Sequence, residues 1–145
     1  MSGRILIVDD EPANVLLLET YLADTATEIR GLTDSHHAEQ AFEEFEPDIV
    51  LLDLHMPDPD GLEILRRLRS PRMSLGFLPV VVLTADASRV ARNSALLLGA
   101  DDFITKPLER DEVVLRIRNL LRTRELYVDL ARANEALESR LHEPK

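Results

Sequence analysis

The chain has 145 residues, a hydrophobic fraction of 45% and a formal net charge of -10, enough for one domain, or one domain and an appendage, around a sizeable core. It contains no cysteine, which excludes disulfides and thiolate metal sites and suits a reducing compartment. Residues Arg122 to Lys145 carry five basic and five acidic groups, so the whole negative excess belongs to residues 1–121, an acidic body that disfavours direct contact with nucleic acid or anionic membrane. The first apolar run, Ile5 to Val8, is four residues long, too short for a signal peptide or a membrane span, and a soluble cytoplasmic protein is expected.

Arg4 to Val8 reads as a short β-branched strand that ends at Asp9, Asp10, Glu11 and Pro12. Pro12 suits a first helical turn, where its missing N–H is no loss. Val15, Leu16, Leu18, Tyr21 and Leu22 make an apolar stripe that predicts a helix from about Pro12 to Asp24. Glu28 to Leu32 is a weaker strand. Asp34 or Ser35 can cap a second helix bearing Ala38, Ala41, Phe42 and Phe45, which Pro47 stops. Next, Ile49, Val50, Leu51 and Leu52 run straight into Asp53. So short an apolar run, with β-branched members and turn signals on both sides, predicts a strand buried on both faces.

The loop Met56 to Gly61 leads to a third helix on Leu62, Ile64, Leu65 and Leu68. The breaker-rich stretch from Ser70 through Gly76 is expected to be the most mobile connection. Pro79 to Thr84 is a second apolar strand with a polar end. A fourth helix covers about Ser88 to Leu98, closed by Gly99. Phe103 to Thr105 is a short last strand, followed by Lys106 and Pro107. Strands and helices alternate five times, which predicts an α/β fold with a parallel sheet, right-handed crossovers and helices on both faces.

Four strand ends then deliver polar groups to one sheet edge: Asp9 and Asp10, Asp53, Thr84, and Lys106. In open α/β sheets that edge is where ligands collect. Two unit charges ~4 Å apart interact by about 4 kcal/mol at an effective dielectric of 20, so three carboxylates there need protons, a cation or both. Hard oxygen ligands suit Mg2+, which takes one or two carboxylates together with phosphate oxygens. A carboxylate beside Mg2+, a hydroxyl and an ammonium can perform phosphoryl transfer. Asp53 would be the nucleophile, Lys106 would hold one phosphoryl oxygen, and the Thr84 hydroxyl would donate to another.

The segments Val8-Asp9-Asp10-Glu11-Pro12, Leu52-Asp53-Leu54-His55-Met56-Pro57 with Asp60-Gly61, Leu83-Thr84-Ala85, and Gly99 through Pro107 together resemble the response-regulator receiver domain of bacterial two-component signalling, over residues 4 to about 121. The resemblance implies a doubly wound five-stranded parallel sheet, the flavodoxin-like receiver fold. It implies that Asp53 is the phosphoacceptor, charged by a sensor histidine kinase or a histidine phosphotransfer protein. It also implies that Asp10 and Asp53 ligate Mg2+ directly, that Asp9 acts mainly through water, and that the His55 backbone carbonyl is a further ligand. Thr84 and Phe103 match the family's hydroxyl and aromatic switch pair, which changes the face made by helix 4, strand 5 and helix 5. The side chains of His55 and Asp86 fall at positions where family members tune phosphoryl lifetime; the plain alternative is two solvated loop residues. His36 and His37 start a helix with no acidic or His partner at ligand spacing, which favours a surface role. Phe42, Phe45 and Phe77 are read as core or loop packing.

Leu108 to Glu143 is 36 residues without Gly or Pro, about 54 Å of helix at ~1.5 Å per residue. A domain of this size has a radius of gyration near ~14 Å, so such a rod overshoots it. The expected division is a receiver domain over 1–121 and a helical extension over 122–145. Leu126, Leu130, Ala133, Leu137 and Leu141 recur at spacings of four, three, four and four, a near-heptad stripe. It reads as a two-stranded coiled coil that makes a homodimer or precedes an output domain, or else as a helix folded back on its own domain. Two rivals use related chemistry. A Mg2+-dependent aspartyl-phosphate phosphatase of the haloacid-dehalogenase kind would need an Asp where His55 stands. A flavin or nucleotide binder would need a phosphate-cradling glycine loop where the chain has Asp-Asp-Glu-Pro.

Overall fold

Short apolar runs rich in β-branched residues form the strands of this chain, and polar residues gather where they end. In the computed structural model, which describes residues 3–57, 60–69 and 77–141, the strands are β1 (Arg4–Val8), β2 (Glu28–Leu32), β3 (Ile49–Asp53), β4 (Val80–Thr84) and β5 (Asp102–Thr105). The helices are α1 (Pro12–Leu22), α2 (Ala38–Phe45), α3 (Gly61–Leu68), α4 (Arg89–Leu97) and α5 (Arg110–Leu141), with a short 3-10 turn at Ser35–His37 ahead of α2. The expected breaker-rich loop from Ser70 through Gly76 lies outside the described residues.

Local chemistry sets these boundaries. Pro12 occupies the first turn of α1. The Asp34 carboxylate accepts from the His36 N–H and opens the 3-10 turn, so the second helix starts a turn later than its cap suggested. Asp60 caps α3 by accepting from the Glu63 N–H at 2.9 Å, and Ser88 caps α4 by accepting from the Ala91 N–H at 3.2 Å. Helix α4 closes on Gly99, whose φ of 104° is a left-handed conformation open to glycine.

All strand pairs are parallel, in the order β2-β1-β3-β4-β5. Period-two alternation divides the core into two layers. Leu6, Val8, Val50, Leu52, Val80 and Val82 face Phe42, Phe45, Ile64, Leu65, Leu68 and Ala95 from α2, α3 and α4. Ile5, Ile7, Ile49, Leu51, Val81, Leu83 and Ile104 face Leu18, Leu22, Val113, Ile117 and Leu121 from α1 and α5. Both faces of β3 and β4 are therefore covered, and every residue of those strands is buried. This is the doubly wound α/β fold that the alternation predicted.

Helix α5 runs unbroken for 32 residues, about 48 Å at ~1.5 Å per residue. Its fully buried positions are Val113, Ile117 and Leu121, and none follows among the described residues. Where it leaves the sheet, the Arg124 guanidinium lies 2.9 Å from the Asp48 carboxylate just ahead of β3. The Tyr127 ring meets Phe77 at 5.6 Å between centroids, which assigns Phe77 to packing against α5, while Phe42 and Phe45 lie in the core. No described helix is long and apolar enough to cross a membrane.

Candidate functional site

Register brings the acids together. Val8 pairs with Leu52, so one residue further on Asp9 leaves β1 beside Asp53 at the end of β3. Asp53 in turn pairs with Leu83, which sets Thr84 at the adjoining end of β4. Asp9, Asp53 and Thr84 are all buried, whereas Asp10 is exposed. The buried apolar residues of β1, β3 and β4 beneath them leave these groups little water, and their solvation has to come from one another.

Lys106 supplies much of it. Its Nζ stands 3.3 Å from Asp9 Oδ2 and 3.2 Å from Asp53 Oδ1, and its backbone N–H donates to the Thr84 carbonyl at 2.7 Å. The peptide bond from Lys106 to Pro107 is cis. Asp9 Oδ1 accepts from the Glu11 N–H at 2.9 Å, and Asp53 Oδ1 accepts from the His55 N–H at 3.2 Å. Burial and the neighbouring Asp9 charge still hold the Asp53 carboxyl above the usual carboxylate range, although the His55 N–H and Lys106 pull the other way.

Asp9, Asp10 and Asp53 each offer an oxygen within 4.8 Å of the others. Three hard oxygen donors, one of them exposed, fit a divalent cation that keeps part of its water shell. The Asp53 pKa is raised first by burial and then by the Asp9 charge, and a cation held at the cluster would offset both.

His55 is exposed, yet its ring reaches inward, with Nε2 2.9 Å from Thr84 Oγ. The Thr84 hydroxyl also accepts from the Asp86 N–H at 3.0 Å. The Asp86 carboxylate accepts from the Ser88 N–H at 2.8 Å, and that bond chiefly holds its pKa low. Phe103 is half-buried, packed on the α2–α3–α4 side of the sheet, and pairs with Val82. His36 and His37 are exposed as expected, but they do have an acidic neighbour: Asp34 lies 3.1 Å from His36 Nδ1 and 3.5 Å from His37 Nε2. The 3-10 turn curls both rings back over the residue that caps it, a proximity that helical spacing did not predict.

Packing adds two further features. A Cβ on Gly61 would run into the Asp53 carbonyl oxygen and the Leu54 Cα, so glycine is required where α3 starts behind the site. The Asp48–Arg124 pair spans 76 positions of sequence and joins two elements whose meeting depends on the whole fold.

A parallel sheet in this order, with an acidic crevice outside its carboxyl edge, has the flavodoxin-like receiver architecture. A family model described as the response regulator receiver domain matches residues 5–118, and the chain belongs to that family of two-component response regulators. The transcriptional regulatory protein TrcR of Mycobacterium tuberculosis is 41% identical over 119 residues, covering 82% of this chain and 45% of that protein. The response regulator PleD of Caulobacter vibrioides is 40% identical over 136 residues, covering 94% of this chain and 30% of that protein. The chain thus spans about half, or less, of the relatives it matches. Among solved structures, the BeF3-activated N-terminal receiver domain of Klebsiella pneumoniae RstA superimposes with a TM-score of 0.75 at 31% identity, covering 83% of this chain and 99% of that one. A CheY-like receiver domain protein from Methanospirillum hungatei gives 0.77 at 26% identity, covering 86% and 98%.

Proposed function

We propose that Asp53 accepts a phosphoryl group from a sensor histidine kinase or a histidine phosphotransfer protein, and that the resulting charge is the signal. The observation that carries this reading is the Asp53 carboxylate, buried among Asp9, Asp10 and Lys106 at the edge of the sheet. An Asp53 oxygen attacks phosphorus, the bond from phosphorus to the donor imidazole nitrogen breaks, and its electron pair stays on that nitrogen, which then takes a proton. Lys106, already within 3.2 Å of Asp53, holds a phosphoryl oxygen, and the Thr84 hydroxyl donates to another. Asp10, Asp53 and the His55 carbonyl would hold Mg2+ directly and Asp9 through water; the ion supplies charge neutralisation on the phosphoryl oxygens.

Drawing Thr84 toward the phosphoryl group vacates space beside Phe103, and the α4–β5–α5 surface changes with it. We assign residues 1–121 to the receiver and 122–145 to a linker helix that carries the change to a second copy of the chain or to an output domain. Leu126, Leu130 and Leu137 are 64%, 61% and 57% exposed, an apolar stripe suited to a parallel two-stranded coiled coil. The body takes no part in nucleic-acid or membrane binding, in keeping with its acidity, and it works in the cytoplasm. Turnover chemistry is confined to loading and unloading Asp53.

Incubation with Mg2+ and a small phosphodonor, followed by intact mass on wild type and Asp53→Asn, tests the assignment. One stable phosphoryl adduct, absent from the variant, is expected. Sustained phosphate release without an adduct would overturn it in favour of a phosphatase.

A further inference from the structure

The Thr84 hydroxyl, which the proposed reaction needs as a donor, is already engaged. Its oxygen accepts from the Asp86 N–H at 3.0 Å and lies 2.9 Å from His55 Nε2. A hydroxyl has one proton to give. With one lone pair taken by Asp86, the short contact to an imidazole nitrogen directs that proton to His55 whenever the ring carries its own proton on Nδ1. We infer that His55 is a positioning residue: in the resting state its Nε2 accepts from Thr84 and keeps the switch hydroxyl turned away from the phosphoryl position.

The same residue touches both halves of the site. Its backbone N–H donates to Asp53 Oδ1 at 3.2 Å, while its ring holds Thr84. The ring lies on the exposed side of the buried hydroxyl, so it can swing outward without disturbing the core. Phosphoryl uptake then exchanges one hydrogen bond for another, and the His55 bond sets how readily the exchange occurs. Asp86 has a different part, since its carboxylate is occupied by the Ser88 N–H at 2.8 Å and only its backbone reaches Thr84.

This inference rests on the receiver reading, and the test separates the two. The probe is beryllofluoride with Mg2+, titrated into wild type, His55→Ala, Thr84→Ala and the double variant, with binding followed by 19F NMR. Release of one neutral hydrogen bond predicts about fivefold tighter binding by His55→Ala than by wild type. His55→Ala is expected to have no effect in the Thr84→Ala background, where no hydroxyl remains to be held. In the metal-free protein, imidazole 15N shifts should report the Nδ1–H tautomer with a hydrogen-bonded Nε2 that is lost in Thr84→Ala, a signature a purely structural role would not produce. Equal or weaker binding by His55→Ala, an effect that persists without the Thr84 hydroxyl, or a proton on Nε2 would overturn the inference while leaving the receiver reading intact. Failure of wild type itself to bind beryllofluoride at Asp53 would overturn both.

Discussion

The surroundings of Asp53 disfavour its charged form: burial first, and then the neighbouring Asp9, raise its carboxyl pKa. Because its folded pKa is raised, the native state binds more protons than the unfolded chain between the ordinary carboxyl value, ~3.9, and the folded one. Stability therefore falls as pH rises through that window. In metal-free buffer Asp53→Asn should melt above wild type at pH 7.5 even though it gives up the Lys106 pair. The gap should close as pH is lowered toward ~4, or as Mg2+ is added, and thermal melts across pH measure it directly. Lys106 is the opposite case. With Nζ within 3.3 Å of both Asp9 and Asp53, Lys106→Ala removes the only cationic side chain that contacts these acids among the described residues. It should slow adduct formation on Asp53 by about a hundredfold, read by intact mass over time, and should lower the metal-free melting temperature.

Elements place these residues, and their junctions are less tolerant than their surfaces. Gly61 begins α3 against the backbone of Asp53 and Leu54, where neither neighbour is a side chain that can swing aside. Gly61→Ala should cost about 2 kcal/mol in chemical denaturation and displace Asp53 enough to weaken Mg2+ binding. At the other end of β3, the Asp48 carboxylate accepts from the Arg4 N–H at 2.8 Å and pairs with Arg124 at 2.9 Å. The five-residue strand β3 thus ends in Asp53, the proposed phosphoacceptor, and the residue just before it ties down the departing helix. Arg124→Ala removes a partly shielded ion pair, for which about 1 kcal/mol is expected. Hydrogen exchange should show the loss as faster opening of α5 beyond Leu121, with the sheet unchanged.

For the whole molecule, α5 decides the shape. Little more than its first third lies on the sheet, and the remainder carries exposed leucines past the last buried position, Leu121. Two heptads are too few to sustain a dimer on their own, so association of this chain should be weak and concentration-dependent, and should strengthen on phosphorylation if the receivers also meet. Sedimentation equilibrium of wild type against Leu130→Asp, with and without beryllofluoride, should show self-association in the first and none in the second. The monomer's melting temperature should barely change, because the Leu130 side chain is already solvated.

Much of this was open to sequence reading because its causes are local. Alternating apolar strands and helices, the Pro12 and Gly99 boundaries, and acids placed directly after buried runs each follow from a few neighbouring residues, and they located Asp9, Asp53, Thr84 and Lys106 at one edge. What needed the tertiary structure were distances between elements far apart in the chain. Strand register brought Lys106 between two carboxylates, set the His55 ring on the Thr84 hydroxyl, pressed α3 against Asp53 until only glycine fits, and tied Arg124 to Asp48. Pattern and propensity act over a few residues, whereas a hydrogen bond is decided within tenths of an ångström, and only the closed packing of the two layers supplies that precision.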